Sequence, residues 1–318
     1  MKLRCAVLDD YQKAARTIAD WSVISDQVEV DVFHEHMEEE DELVQALEGY
    51  EILVIMRERT PFRASLLARL PRLKLLVTTG MRNASVDTQA AADRGIVVCG
   101  TGGLATPTVE LTWALILGLA RNIVWEHAAV KNNGPWQSTL GTDLSGKRLG
   151  LLGLGKLGSR VAQIGLAFGM EVVAWSQNLT RERTDEVGVQ LAASKEELLA
   201  SSDFVSIHLV LSDRTRGLIG AEELKHMRPT AFLINTSRAP IIDQQALEEA
   251  VANRWIAGAG IDVYEVEPLP EGHVFRSLPH VLTTPHLGYV TEDNYRTFYR
   301  DAVEDIQAFL AGQPIRRL

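Results

Sequence analysis

Cysteine is scarce. Two residues in a chain of 318, Cys5 and Cys99, are too few for a disulfide framework or a Cys-rich metal site. Each sits in an apolar, strand-like run, Cys5-Ala-Val-Leu8 and Ile96-Val-Val-Cys99, as a small buried hydrophobe does. Basic charge is also short: 32 Lys and Arg stand against 42 Asp and Glu, for a net charge of −10. The average surface field therefore repels a phosphate backbone or an anionic bilayer, which argues against nucleic acid and membrane partners. An anionic substrate would need a local cluster of positive charge. No apolar run approaches bilayer length. The N-terminus, Met1-Lys-Leu-Arg-Cys-Ala-Val-Leu-Asp-Asp10, reaches acids after too few apolar residues for a signal peptide, so a cytoplasmic location is expected by elimination. Internal repeats, low-complexity segments and long charge runs are lacking too.

With 46% hydrophobic and 23% charged residues, the chain has the composition of a globular protein, and its length is that of two domains. Short apolar runs alternate with helical patterns in its first third: Leu3 to Leu8, Val28 to Phe33, Ile52 to Ile55, Leu73 to Val77 and Ile96 to Cys99. That alternation predicts a parallel α/β sheet. Glu38 to Glu42 reads as a solvated helix start. Thr106-Pro107 reads as an N-cap and first helical residue, opening a nearly all-apolar helix over 107–120 that is expected to be buried all round, with Glu110 paired inside or placed at its edge. A second alternating series predicts strands over Leu149 to Leu152, Val172 to Trp175, Phe204 to Leu209, Ala231 to Asn235, Ala257 to Val263 and Val281 to Thr284. Ser194-Lys-Glu-Glu197 has the capping-box pattern, Asp243 is placed to cap the next helix, and Glu292 to Leu310 reads as an amphipathic helix.

Gly153-Leu-Gly155-Lys-Leu-Gly158 follows an apolar strand and opens a helical stretch, the context of a dinucleotide-binding fingerprint. Gly153 permits the tight turn, Gly155 lets a pyrophosphate approach the backbone, and Gly158 lets the helix pack on the strand. The following strand, Glu171 to Trp175, ends at Ser176 where an acid would hold the ribose 2′-hydroxyl of NAD. With Arg181 and Arg183 close behind, a 2′-phosphate meets no repulsion, and NADP is favoured over NAD unless both arginines lie on an exposed helix face.

Three later segments carry the chemistry: Asn235-Thr-Ser-Arg238, Asp262-Val-Tyr-Glu-Val-Glu267 and Thr284-Pro-His286-Leu-Gly288. Arginine, carboxylate and histidine after strands are what reduction of a keto acid requires. The arginine binds the substrate carboxylate and polarises the carbonyl, the histidine delivers a proton to the oxygen, and the carboxylate orients the imidazole and favours its protonated form. Arg238 also supplies local positive charge. His34-x-His36 beside an acidic run lacks any further ligand pattern, and no metal is expected.

The order of these motifs resembles the D-isomer-specific 2-hydroxyacid dehydrogenase family, which includes phosphoglycerate, glyoxylate or hydroxypyruvate, and formate dehydrogenases. The resemblance spans nearly the whole chain. In that family the catalytic arginine follows Asn-x-Ser, the glutamate lies 29 residues later and the histidine stands in Pro-His-x-Gly, the places of Arg238, Glu267 and His286. It implies that Asp262 holds the nicotinamide carboxamide, that Lys156 and Leu157 meet the pyrophosphate, that Thr236, Ser237 and Gly288 line the cofactor side, and that the amides near Gly80 and Met81 receive the substrate carboxylate. It also implies two Rossmann-like, doubly wound parallel-sheet domains. The substrate domain is discontinuous, residues 1–100 and 286–318, and the dinucleotide-binding domain, 101–285, is inserted between. A hinge at the two crossings would bring the Gly80 loop onto Arg238 and His286. Members are usually homodimers, which makes the 107–120 helix and the Trp125 to Trp136 region the expected interface. The chain departs from the family at His208-Leu-Val210 for His-x-Pro, at Arg238-Ala239 for Arg-Gly and at Gly288-Tyr289 for Gly-Gly, where Tyr289 is expected near the substrate pocket. The implied activity is hydride transfer between NAD(P)H and a small 2-keto or D-2-hydroxy acid. Two other readings stay open: a formate-type member, and a binding protein that senses NAD(H). A pure sensor would have no need of a proton donor paired with a carboxylate.

Overall fold

The short apolar runs become strands buried on both faces, the condition under which parallel sheets form. In the computed structural model, which describes residues 2–318, the chain forms two units, one running up to Leu104 and including Val290–Leu318, the other Ala105–Tyr289. The first unit contains β1 (Leu3–Val7), β2 (Val28–Val32), β3 (Ile52–Ile55), β4 (Leu75–Thr78) and β5 (Val97–Gly100) in the order β2-β1-β3-β4-β5, all parallel. Val7, Val54, Val77 and Cys99 form one row across it, so Cys99 is core. The helix Glu292–Leu310 belongs to this unit and buries Tyr295, Phe298, Tyr299, Ala302, Val303 and Ile306, a helical stripe. Beyond it the chain lies against β5, with Gly100 N–H donating to Arg316 O (2.9 Å) and Leu318 N–H to Val98 O (3.0 Å).

The second unit contains β6 (Arg148–Leu152), β7 (Glu171–Trp175), β8 (Gln190–Leu191), β9 (Phe204–Ile207), β10 (Phe232–Asn235), β11 (Gly258–Ile261) and β12 (Val281–Thr283) in the order β12-β11-β10-β9-β6-β7-β8, also parallel. Strand order reverses between β6 and β9, and in open sheets of this kind ligands bind outside the carboxyl ends of the strands at such a reversal. Gly153, Ser176, His208, Thr236, Asp262 and Thr284 follow the carboxyl ends of β6, β7, β9, β10, β11 and β12.

Several boundaries differ from the sequence expectation. β9 stops at Ile207 and β11 at Ile261, because the next side chains turn into loops. β8, only two residues long, carries too little pattern to be foreseen. The helix Thr106–Ala120 has Ala105, not Thr106, at its N-cap position, with Pro107 in its first turn. It is not buried all round: Thr106, Glu110 and Ala114 form an exposed stripe at i, i+4 spacing. The next helix, Ile123–Lys131, buries nothing, and Trp125, Trp136 and Leu140 are 54%, 79% and 97% exposed.

Candidate active site

The glycine turn is built by contacts that only glycine permits at two positions. Gly153 has φ +102°, and a Cβ there would lie 2.7 Å from His208 O. A Cβ on Gly158 would lie 2.1 Å from Gly153 O, so the helix Lys156–Ala167 presses directly on the turn. At Gly155 a Cβ would meet nothing within 4 Å, and Gly155 and Lys156 are exposed. The result is an open cradle at a helix N-terminus, a fit for the phosphates of a dinucleotide, with Lys156 and Leu157 as the first helical residues. His208 lies beneath the turn with Nε2 2.9 Å from Ser206 Oγ, and burial pushes its pKa down to about 4. It is a neutral packing histidine at ordinary pH.

Ser176 follows β7 as the chain turns, its carbonyl accepting from Leu179 N–H at 3.0 Å. The helix Arg181–Val187 begins shortly after. Arg181 is exposed, whereas Arg183 folds onto the glycine turn, donating from Nη2 to Ser159 Oγ (2.8 Å) and from Nε to Leu154 O (3.4 Å), with Nη1 on Glu186 (2.8 Å). The two arginines thus separate: one lies on an exposed face, and the other is seated at the fingerprint.

Asn235 shapes the loop after β10. Its Oδ1 accepts from Ser237 N–H and its Nδ2 donates to Arg238 O, both at 3.0 Å. Thr236 is buried with its Oγ1 2.8 Å from Thr112 Oγ1, and Ser237 Oγ donates to Leu209 O. Arg238, half-buried, donates from Nη1 to Ser237 O at 2.8 Å.

Glu267 and His286 come together. His286 Nδ1 donates to Glu267 Oε2 at 2.6 Å, and Glu267 Oε1 accepts from Tyr264 N–H at 2.9 Å. His286 has φ +51°, an uncommon conformation for a residue with a Cβ, and its N–H closes a tight turn onto Thr284 O at 2.9 Å. Asp262, fully buried, holds the other side of that turn: Oδ1 accepts from Thr284 Oγ1 (2.6 Å) and Leu287 N–H (2.7 Å), and Oδ2 from Gly288 N–H (2.9 Å). Burial raises the Asp262 pKa, and these hydrogen bonds oppose the rise. A Cβ on Gly288 would come within 3.1 Å of Asp262 Oδ2, and Gly288 O accepts from Thr108 Oγ1 at 2.8 Å. Tyr289 is buried, its ring edge-on to His286 with centroids 5.3 Å apart.

In the first unit, Gly80 has φ +90° and its N–H donates to Thr101 Oγ1 at 2.8 Å. Gly80 supplies the turn, and Met81 is exposed beside it. Sequence reasoning missed Arg57. It follows β3, and its Nη1 lies 2.0 Å from where a Cβ on Gly80 would stand. Its position at the carboxyl end of a strand beside the β1/β3 reversal was the available signal. His34 Nδ1 donates to Asp10 O (3.1 Å) and His36 Nδ1 to Asp9 Oδ1 (3.0 Å). Among the described residues, no group of three or more His, Cys, Asp or Glu is placed to hold a metal ion, and no helix is long and apolar enough to cross a membrane.

Comparison with known proteins gives consistent results. Residues 113–288 match the family described as D-isomer specific 2-hydroxyacid dehydrogenase, NAD binding domain. The chain is 40% identical to a glyoxylate reductase of Aeropyrum pernix over 257 residues, 78% of this chain and 76% of that one. It is 34% identical to a hydroxypyruvate reductase of Thermotoga maritima over 290 residues, 89% and 92% of the two chains. Among solved structures, a phosphoglycerate oxidoreductase from Vibrio cholerae superposes with a TM-score of 0.92 at 37% identity, covering 98% of this chain and 99% of that one.

Proposed function

This chain belongs to the D-isomer specific 2-hydroxyacid dehydrogenase family, and from that premise we propose that it reduces a small 2-keto acid to the D-2-hydroxy acid with Arg238, Glu267 and His286 as its catalytic residues. The observation that carries this reading is the 2.6 Å hydrogen bond from His286 Nδ1 to Glu267 Oε2. With Nδ1 committed, Nε2 is the nitrogen left to hold a proton for the substrate oxygen. Glu267 fixes the ring and supports the imidazolium, while its second oxygen is occupied by Tyr264 N–H. Arg238 holds the substrate carboxylate and draws electron density from the carbonyl. In the first unit, the loop at Gly80 and Met81 is assigned to substrate, and Arg57 beside it supplies the positive charge that a chain of net charge −10 must concentrate locally.

Nicotinamide cofactor, when bound, supplies the hydride. Gly153, Gly155, Lys156, Leu157 and Gly158 are assigned to its pyrophosphate, and Thr236, Ser237, Asp262 and Gly288 to its nicotinamide end. For Asp262 that assignment runs through the loop: both of its oxygens already serve residues 284–288. NADP is preferred in this reading, because Ser176 replaces the ribose-binding acid and Arg183 is seated on the fingerprint turn. The names of the relatives point to substrates of glyoxylate and hydroxypyruvate size. A homodimer completes the proposal, supported by the exposure of Ile123, Val124, Trp125, Val130, Trp136 and Leu140, apolar side chains of the kind a second copy covers.

Loss of reduced-nicotinamide absorbance should be followed with NADPH and NADH in parallel against glyoxylate, hydroxypyruvate, pyruvate and phenylpyruvate. Turnover of a 2-keto acid, faster with NADPH, is expected. Tight cofactor binding without turnover across the panel would overturn the catalytic assignment.

A further inference from the structure

We propose that Tyr264 is a positioning residue for the Glu267–His286 pair, an inference that rests on the catalytic reading above. Tyr264 lies between Asp262 and Glu267 in the loop after β11, and it is buried. A buried phenol has one proton to donate; this one shares it between two carbonyls. Its hydroxyl lies 3.0 Å from Ile261 O and 2.9 Å from Thr284 O. Ile261 is the last residue of β11, and Thr284 immediately follows β12, so the phenol ties together the exits of two neighbouring strands.

Thr284 O is also the acceptor of His286 N–H at 2.9 Å, the hydrogen bond that closes the turn carrying the histidine. His286 is held at φ +51°, and such a conformation persists only where its surroundings over-determine it. Asp262 secures the turn through Leu287 and Gly288 on the far side and through the Thr284 hydroxyl on the near side. Of the two side chains that hold the turn, Tyr264 is the one that reaches the carbonyl at its root. The same residue's N–H donates to Glu267 Oε1 at 2.9 Å, leaving Oε2 for His286. One residue therefore sets the backbone of the proton donor with its side chain and the carboxylate of its partner with its main chain. Removing the hydroxyl leaves the second of these bonds and releases the first, so the imidazole loses its register against Glu267 while the fold and the cofactor cradle keep theirs.

The test is Tyr264→Phe, which keeps the ring. In the apoenzyme labelled with 15N-histidine, the downfield Nδ1 proton of His286, identified by its loss in His286→Ala, is expected to broaden or disappear in the Phe variant. kcat should fall about tenfold, the effect of one or two lost hydrogen bonds, with KM and cofactor Kd unchanged. In a His286→Ala background the same change should alter the residual rate less than about twofold, because a residue acting through the histidine has nothing left to position. Should the Phe variant fail to fold, 4-fluorophenylalanine at 264, which fills the hydroxyl's space without a donor, takes its place in each measurement. An unchanged Nδ1 resonance, or an equal loss of rate with and without His286, overturns the proposal. If the wild-type enzyme turns over no keto acid, the catalytic reading fails, and the resonance still decides whether Tyr264 sets the pair.

Discussion

Replacing Asp262 by Asn isolates the charge from the shape of the site. The carboxylate is fully buried and accepts three hydrogen bonds, from Thr284 Oγ1 at 2.6 Å, Leu287 N–H at 2.7 Å and Gly288 N–H at 2.9 Å. An amide oxygen still accepts the first two, but the amide nitrogen then faces Gly288 N–H, donor against donor. A buried donor left unsatisfied costs about 1–3 kcal/mol, similar to the roughly 1–3 kcal/mol of strain stored in a non-glycine residue at positive φ. The two terms meet in one turn, so the cheapest relaxation is for residues 286–288 to swing and His286 to leave φ +51°. At about 1.4 kcal/mol per tenfold, kcat should fall about 10- to 100-fold. The melting temperature should drop by about 2–4 °C for each kcal/mol of unrelieved cost. Steady-state kinetics with the best keto acid and a thermal melt of the same preparation measure both. A variant within twofold of wild-type kcat and with an unchanged melt would refute the claim that Asp262 holds the turn.

Three further outcomes are expected. His286→Ala should lower kcat by about two to four orders of magnitude while cofactor Kd, measured by nicotinamide fluorescence, stays near the wild-type value; near-normal turnover would remove His286 as proton donor. Arg183→Ala should raise the KM for NADPH about tenfold and leave that for NADH unchanged, since the guanidinium seated on Leu154 O and Ser159 Oγ would be lost only to a 2′-phosphate; equal changes for both cofactors would place Arg183 in packing alone. His36 has its pKa raised in the folded state, chiefly by its hydrogen bond to Asp9, so the pairing stabilises fully below the ordinary histidine pKa of about 6.5 and is lost as pH rises through the elevated value. The melting difference between wild type and His36→Gln should therefore be largest near about pH 6 and shrink at about pH 8, and a pH-independent difference would count against the ion pair.

Both sheets were legible in the sequence because a parallel strand buried on two faces must be apolar along its length, as Ile52–Ile55 and Phe204–Ile207 are. β8 was not, because two residues show no period. The proposed catalytic triplet was legible as residue types after strands, but the backbone shape at His286 was hidden. A positive φ at a histidine, and the two side chains that hold it there, depend on loops meeting across β11 and β12. The Gly80 amide shows the same limit from the other side: glycine announced a turn, but which group its N–H bonds was decided by Thr101, 21 residues away. Arg183 could not be separated from Arg181 by type or spacing, because helix phase alone turned one onto the fingerprint and the other to solvent.

Each polar side chain assigned to the site in the second unit stands beyond the last ladder residue of its strand, from Ser176 after β7 to His286 after β12. The site side chains therefore sit in the loops beyond the ladders, tied to the sheet mainly through backbone bonds such as Asp262 N–H to Asn235 O (3.1 Å) and Thr284 N–H to Ile261 O (2.9 Å). For a protein engineer this means that the loop from Val263 to His273, and Tyr289 beside the histidine, are the places to diversify when a new keto acid is wanted, with Tyr264 and Glu267 left in place. For a lineage under selection it means that a duplicated copy could drift in substrate scope through loop changes alone while its sheet was inherited unaltered.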